Sequence, residues 1–531
     1  MAAANVTSAG WRPYPRPWKT IVNSLCLLTF LTAALFLRGI QLGDSAAASG
    51  AGVIGVMLFF LLMVAATMGR RARQAEDKVR EAARHAEQQQ RQKEQPTQDE
   101  KNHREFTLEV LSFGAVFDHL QHDALWQALQ QGDAYTSVRN QDPQHYPWSA
   151  IQKLEASTRQ AGEVFVRVVR ETPIYWVAPL LQVVPGTEDA PVSQLPAVMA
   201  QHRFAIAEHR HAAPERILEH AFALFDNYPE LPYVVVFADN SLARRERGRG
   251  KAAVDLAADG YHLPAIPDAV AVLVLGRRDR VAALRAHVWD DPNNDYLRVT
   301  TTRALQASLP AGCAGEGRMP AAADWLATAA LLARDSQRYD GIGSCNVKAW
   351  DNDPPPAWKS GPWLPVAWTR TQLELFDRLP VLALIHRPVH IAFTDAQGHA
   401  ITRNDHRLQL LMDGWREALH ALPETVRNAG PARVIAATGN NERQLLALHG
   451  MLHRYAAQGG PEIDTSDSAS FTDMGRRLGD AGVATLPLQL VLGALASHKT
   501  GGVSGVIQMQ ADGAGATIVF ARPAGEGQCA T

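Results

Sequence analysis

PYVVVFADN, residues 232–240, and DAVAVLVLGRRD, residues 268–279, are unbroken apolar runs of strand length. A strand apolar at every position must be covered on both faces, which calls for helices on each side of the sheet. PERILEHAFALFDNYPE, residues 214–230, supplies such a helix directly before the first run, opening on Pro214 and ending before Pro229. Helix and strand in this alternation specify an α/β layer.

The same pattern continues on both sides of these runs. FTLEVLSFGAVFD (106–118) reads as a strand and HLQHDALWQALQQG (119–132) as a helix closed by Gly132. VFVRVVRETPIYWVAPLLQVV (164–184) is rich in β-branched and aromatic residues and reads as strands interrupted at Pro173 and Pro179; ARRERGRGK (243–251) reads as a charged loop. From Phe376 the α/β pattern resumes. LPVLALIHRPVHIAF (379–393) predicts paired strands, LQLLMDGWREALHAL (408–422) a helix, PARVIAATG (431–439) a strand and ERQLLALHGMLHRYAAQGG (442–460) a helix capped by Gly459. LQLVLGALASHKTGG (488–502) predicts one more helix, and GVSGVIQMQADGAGATIVFARP (502–523) a hairpin turning at Asp512-Gly513. Between them, residues 289–375 carry turn chemistry, one helix over 321–336, and the tryptophans Trp350, Trp358, Trp363 and Trp368. The expected organisation is a first α/β half over 106–288, an irregular Trp/Pro-rich insertion over 289–375 and a second α/β half over 376–531.

The amino end differs in composition. Residues 21–37 (IVNSLCLLTFLTAALFL) and 46–68 (AAASGAGVIGVMLFFLLMVAATM) carry no charge, and each approaches the ~20 residues that cross a bilayer as a helix. Arg12, Arg16 and Lys19 precede the first run and Arg70, Arg71 and Arg73 follow the second, so both flanks read as cytoplasmic. This predicts a transmembrane hairpin within residues 1–69 and a multi-pass inner-membrane protein whose N-terminus and main domain lie in the cytoplasm. A rival reading is a signal peptide cleaved near Ala46-Ala47-Ala48. Residues 70–105 mix both charge signs with almost no large apolar residue and predict a solvated helical stalk.

Composition narrows the function. With 52 Lys+Arg against 54 Asp+Glu there is no field of one sign to gather nucleic acid. Cys26, Cys313, Cys345 and Cys529 form no CxxC pair, so no disulfide framework or thiolate zinc site is expected. His386 and His390 flank Pro388, and on a strand they stand ~13 Å apart. His449 and His453 have ligand spacing on a helix, but Gly450 follows His449 and the glutamate of H-E-x-x-H is missing. Thr438-Gly439-Asn440-Asn441-Glu442, between a strand and a helix, is a place where amides meet an anion or where an asparagine caps the helix. Ser504 in Gly502-Val503-Ser504-Gly505 opens a strand and lacks the spacing of a nucleophile elbow. No cofactor and no metal is therefore expected. Cys345 or Cys313 as an acyl-handling nucleophile is the enzyme alternative. Trp358, Trp363 and Trp368, among prolines in DNDPPPAWKSGPWLPVAW (351–368), read either as partner-binding anchors or as a strap over the core.

Several strings together, LEVLSFGAVFD, PELPYVVV, DGYHLPAIPDAVAVLVLGRR, VWDDPNNDY, FDRLPVLALIHRP, ARVIAATGNN, LHGMLHRYAAQGGPEIDT and RRLGDAGVATL, resemble the type VI lipase adapter proteins over about residues 106–525. The resemblance implies a bacterial, non-catalytic adapter that binds a phospholipase-type toxin in the cytoplasm and helps load it onto the VgrG-like spike protein of the type VI secretion machine. A second resemblance concerns fold: PYVVVFADN with PDAVAVLVLGRRD, and LGDAGVATLPLQLVLGALASHK with the closing hairpin, are similar to the two halves of thiolase-like condensing enzymes. That resemblance implies two pseudo-duplicated halves. It also marks departures, because EHRHAAP stands where such enzymes place a nucleophilic cysteine, Gly479-Asp480 replaces a glycine-histidine, and Thr438-Gly439-Asn440 holds no histidine.

Overall fold

The computed structural model describes residues 106–172, 178–185, 206–210, 214–249, 260–288 apart from 262 and 265, 363, and 368–525 apart from 396, 440 and 511, together with positions 34, 38 and 326. The chain divides into two compact units, Met1–Lys101 and Asn102–Thr531.

The strands of the second unit are β1 (Thr107–Phe117), β2 (Leu120–Gln121), β3 (Ala178–Val183), β4 (Ile206–Arg210), β5 (Tyr233–Asp239), β6 (Ala269–Gly276), β7 (Ala383–His386), β8 (Val389–Ala392), β9 (Pro431–Ala437), β10 (Phe471–Asp473), β11 (Val503–Met509) and β12 (Gly515–Arg522). Its helices among the described residues are α1 (His122–Leu129), α2 (Ala150–Glu171), α3 (Ile217–Asn227), α4 (Leu242–Arg249), α5 (Arg278–Ala282), α6 (Arg370–Asp377), α7 (Asn404–His420), α8 (Glu424–Ala429), α9 (Glu442–Ala457), α10 (Met474–Arg477) and α11 (Thr485–Thr500).

The strands join in the order β10-β9-β11-β12-β7-β1-β6-β5-β3-β4. Outward from the β7/β1 seam, both sides repeat one pattern: first strand, fifth, fourth, second, third. In each, the outer three strands are parallel, and the fifth runs antiparallel to its neighbours on either side. This mixed α/β sheet is thus two copies of one topology, joined where Thr107–Val110 pair antiparallel with Ala383–His386.

Helix α11 lies at the centre. Every residue from Leu486 to Ser497 is buried, and the helix packs against β1, β5 and β6 of the first side as well as β7, β9, β11 and β12 of the second. A helix apolar all round can only be a core helix. The one long polar side chain of this buried stretch, Gln489, donates through Nε2 to the carbonyls of Ile435 and Ile507, both at 3.0 Å, and so bridges β9 and β11. On the opposite face of the first sheet, α2 covers β1 and β6. Gly114 permits the close approach, since a Cβ there would stand 2.6 Å from Val168 Cγ2.

The structure departs from the sequence reading at four places. Val164–Glu171 is the end of α2, not a strand: a capping box between Ser149 and Gln152 starts the helix, and Ala161, Val164, Phe165, Val168 and Val169 fall at helical spacing on its buried face. Tertiary packing overrides the β preference of those valines. The charged segment after β5 is helix α4, whose first amide, that of Leu242, donates to Asp268 Oδ1. β7 and β8 do not pair with each other. Both lie along β12 as one strand interrupted at Arg387-Pro388, where proline has no N–H to give the ladder.

The fourth correction is the multi-pass inner-membrane placement. No helix among the described residues is long and apolar enough to cross a membrane. The longest, α2, has 22 residues but carries Lys153, Glu155, Arg159, Glu163, Arg167, Arg170 and Glu171; the buried central helix, α11, has 16. Apart from Ala34 and Leu326, the runs at 21–37 and 46–68, the stalk at 70–105 and the helix expected over 321–336 lie outside the described residues.

Candidate functional site

In α/β sheets ligands gather at the carboxyl ends of the parallel strands. On the second side, β9 ends at Ala437 and the next residue, Thr438, is fully buried. Its amide donates to Asp473 Oδ1 at 3.2 Å and its hydroxyl to Asp473 Oδ2 at 2.5 Å, while Gly475 N–H donates to Oδ1 at 3.0 Å. Asp473 is itself fully buried, and burial pushes its carboxyl above the usual range. The chain's own carboxylate thus takes the place an anion would occupy. Asn441 caps α9 by accepting from the amides of Arg443 and Gln444, at 3.0 and 3.4 Å. Of the two readings of Thr438–Glu442, the cap matches this geometry.

On the first side the strand end is closed by charge. Asp118 follows β1 in a left-handed conformation (φ 48) and is buried. Its Oδ2 accepts from Arg139 Nε at 2.9 Å and from the Tyr146 hydroxyl at 3.1 Å; its Oδ1 accepts from the Asp268 amide at 3.1 Å. Burial and the Asp118 charge push the Tyr146 phenol up to about 12. Asp268 is pushed up to about 6 by burial, offset by the Leu242 amide and the Arg245 guanidinium 3.8 Å away. Arg245 also donates to the carbonyls of Asn240, Ile266 and Pro267.

The two strand-end regions meet at Gly482. Its φ is +56, and a Cβ there would lie 2.6 Å from Asn240 Oδ1 at the end of β5, so only glycine lets the loop after α10 close on the first side. Arg477, 1% exposed, reinforces this closure by donating to the carbonyls of Asp133 and, at 3.1 and 2.8 Å, of Ala128 and Gln131, the open end of α1. Asp480, at the position of the replaced glycine-histidine, accepts from the Gly482 amide at 2.7 Å.

The remaining candidates separate in space. His386 is buried at the β1/β7 seam, where burial and the Arg522 charge hold its ring down at about 3; Arg522 Nε donates to His386 Nε2 at 3.1 Å. His390 instead meets the Thr517 hydroxyl at 3.1 Å and lies 3.9 Å from Glu219. His449 packs edge-on against Phe471, at 5.2 Å between ring centroids, while His453 is exposed. No cluster of metal-ligating side chains occurs among the described residues. Ser504 hydrogen-bonds to Ser497 at 3.0 Å beneath α11. All four cysteines, including Cys313 and Cys345, fall outside the described residues.

Trp363 and Trp368 are both 0% exposed. Trp363 meets Tyr228 edge-on at 6.1 Å, and Trp368 packs on Phe376 at 5.2 Å and Tyr233 at 6.5 Å, so neither indole lies on a surface. Trp358 lies outside the described residues.

The aromatic surface lies elsewhere. Trp148, Ile151 and Tyr261 are 51%, 69% and 62% exposed. A hydrogen bond of 2.6 Å from the Gly260 amide to the Trp148 carbonyl fixes the two segments together, and Lys153 Nζ donates to the Gly260 carbonyl at 3.2 Å from beneath. Sequence reasoning misses this trio, because Trp148 and Ile151 precede and open a helix whose only conspicuous signal is the β-like stretch from Val164 onward.

Two halves of one topology, with strand ends closed by the chain's own groups, define a duplicated α/β scaffold. The chain belongs to the type VI lipase adapter family: the family described as type VI lipase adapter protein Tla3, N-terminal, matches residues 106–259, and its C-terminal counterpart matches residues 382–523. Solved structures similar to it include the ishigamide ketosynthase/chain length factor (10% identity, covering 79% of this chain and 100% of that one, TM-score 0.40). Others are an oxazolomycin ketosynthase domain from Streptomyces albus (10%, 79% and 96%, 0.38) and 3-oxoacyl-[acyl-carrier-protein] synthase III from Aquifex aeolicus (10%, 78% and 99%, 0.33). Likeness at this level brings neither an activity nor a site to this chain.

Proposed function

We propose that this chain is a non-catalytic adapter that binds a lipase effector of the type VI secretion system and helps load it onto the spike protein. The observation that carries this reading is the match of both halves to the two parts of the adapter family. The strand ends agree with it. Asp473 already holds the amide and hydroxyl of Thr438, and Asp118 already holds Arg139 and Tyr146, so these polar groups serve the fold rather than a substrate. Strand ends that, among the described residues, are filled by the chain's own groups are suited to a binding scaffold. The test is co-purification of the full chain with the lipase toxin encoded beside it, followed by addition of the spike protein. A stable pair, and then a ternary complex, is expected. Absence of any complex with lipase or spike, or turnover of acyl thioesters by the purified chain, overturns the reading.

A further inference from the structure

Two side chains of the strand run along β12, Arg387 and His390, face α3 of the first half. Glu219, Phe222 and Asp226 fall at helical spacing on one side of that helix. Arg387 Nη1 donates to Glu219 Oε1 at 3.3 Å and Nη2 to Asp226 Oδ2 at 2.8 Å, with the guanidinium carbon 4.7 Å from the centre of the Phe222 ring. His390 is fixed at Nδ1, which stands 3.1 Å from the Thr517 hydroxyl of β12. Its Nε2 is buried without a hydrogen-bond partner, 3.9 Å from Glu219 Oε2. One carboxylate therefore lies between a guanidinium that holds it and an imidazole that does not. The other charged and titratable groups facing the ring are Glu215 and Arg216, in the short turn before α3, and His220, next to Glu219. Helix α7 packs on the opposite face of β8, where Gly414 meets Val389 and Ile391.

A neutral ring makes no hydrogen bond across 3.9 Å. A protonated ring carries two N–H donors. The Thr517 hydroxyl satisfies Nδ1–H, and Glu219 is the carboxylate within ion-pair range of Nε2–H among the described residues. A charge-assisted bond needs about 2.8 Å, so Glu219 must shift by about 1 Å toward the ring. The Arg387–Glu219 bond, already long at 3.3 Å, does not survive a shift of that size. Burial, together with the Arg216 charge, holds the imidazole below its usual range against the pull of Glu219 and Glu215. The neutral arrangement is therefore complete above pH 6.5 and is lost as pH falls. We propose that His390 and Arg387 compete for Glu219: one proton taken up by the imidazole transfers the carboxylate from the guanidinium to the ring, while Asp226 keeps Arg387 on α3.

The full chain is tested by native-state amide exchange over residues 217–227, corrected for the pH dependence of intrinsic exchange, at about pH 8 and about pH 5. Double-mutant cycles read each pair. At the higher pH the Arg387→Gln/Glu219→Gln cycle is expected to show a coupling of about threefold in the opening equilibrium of α3, and the His390→Gln/Glu219→Gln cycle none. At the lower pH the two are expected to trade places. In a His390→Gln background the Arg387–Glu219 coupling should persist in acid. In His390→Lys, which carries a fixed cation, it should be weak already at the higher pH. Arg387→Lys, whose single ammonium replaces the fork, carries the cycle if Arg387→Gln fails to fold. An Arg387–Glu219 coupling that is equal at both pH values overturns the exchange. Its loss in acid in the His390→Gln background also overturns it, because another group, such as His220, then takes the proton. Coupling of Glu219 to both His390 and Arg387 in acid shows a shared carboxylate and overturns the competition.

Discussion

The two halves share a strand order but close their strand ends by different chemistry. In the second half one buried carboxylate, Asp473, is held by neutral donors, two amides and a hydroxyl. In the first half Asp118 is held by a guanidinium that is itself only 10% exposed, by a phenol and by one amide, with Asp268 and Arg245 behind them. The two closures stand at different places in the repeat, after the first strand on one side and between the second and third on the other. The ion pair reaches across long loops, from the end of β1 to Arg139, whereas the neutral lock joins adjacent strands, β9 and β10. Sheet geometry places the Asp268 amide of the first closure and the Thr438 donors of the second; Arg139 and Tyr146 reach Asp118 from the segment that follows α1.

This contrast predicts an order of effects. Asp118→Ala strands Arg139 without its counter-charge and should cost about 4 kcal/mol, read as a lowered denaturant midpoint. Asp473→Ala leaves neutral donors alone and should cost about 3 kcal/mol. The reverse order would break the distinction between a charged and a neutral closure.

The seam between the halves supplies the third prediction, with two opposite pH limbs. Glu109 lies on β1 beside the Arg278 guanidinium, 3.4 Å away, yet burial pushes it from 4.5 to about 7. The folded chain therefore holds a proton that the unfolded chain releases between those values, and stability falls as pH rises through that window. Glu109→Gln should stabilise the protein by about 2 kcal/mol at pH 8 and very little at pH 5. His386, held down from 6.5 to about 3, acts in the other sense: its contribution is complete above pH 6.5 and is lost as pH falls toward 3. His386→Gln should flatten the acid limb of melting temperature against pH, leaving the alkaline limb unchanged. A seam whose stability ignores both substitutions would mean that the halves are not coupled through β1 and β7.

The smallest stability effect belongs to the first turn of α2. Ile151→Asp should change stability by less than about 0.5 kcal/mol, because the side chain is 69% exposed. A larger loss would place Ile151 in the structural part of the first half.

Much of this fold is legible in the chain. The runs at 232–240 and 268–279 form β5 and β6 with every strand residue buried, and the closing hairpin turns at Asp512-Gly513, with Asp512 accepting from the Ala514 amide at 2.9 Å. Legibility fails where local preference and packing disagree. Val164, Val168 and Val169 look like a strand until their spacing is counted against a sheet that needs a covering helix. The arginines from Arg244 to Arg249 look solvated until Arg245 is seen holding three carbonyls. Two of the tryptophans weighed as anchors are buried, while Trp148 is exposed without any local signal of it, since aromatic type does not report burial.

The α/β class, the family and the identity of the central helix were all written in local signals. Unbroken apolar runs, helical periodicity and long specific strings survive without coordinates. The folded arrangement alone established that the two halves repeat one strand order and share α11, that Asp118 closes the end of β1 while Asp473 ties the ends of β9 and β10 by unlike means, and that the Gly260–Trp148 hydrogen bond joins the segments carrying Trp148 and Tyr261. Each of these joins residues far apart in the chain, and contacts of that range are set by packing, not by neighbours in sequence.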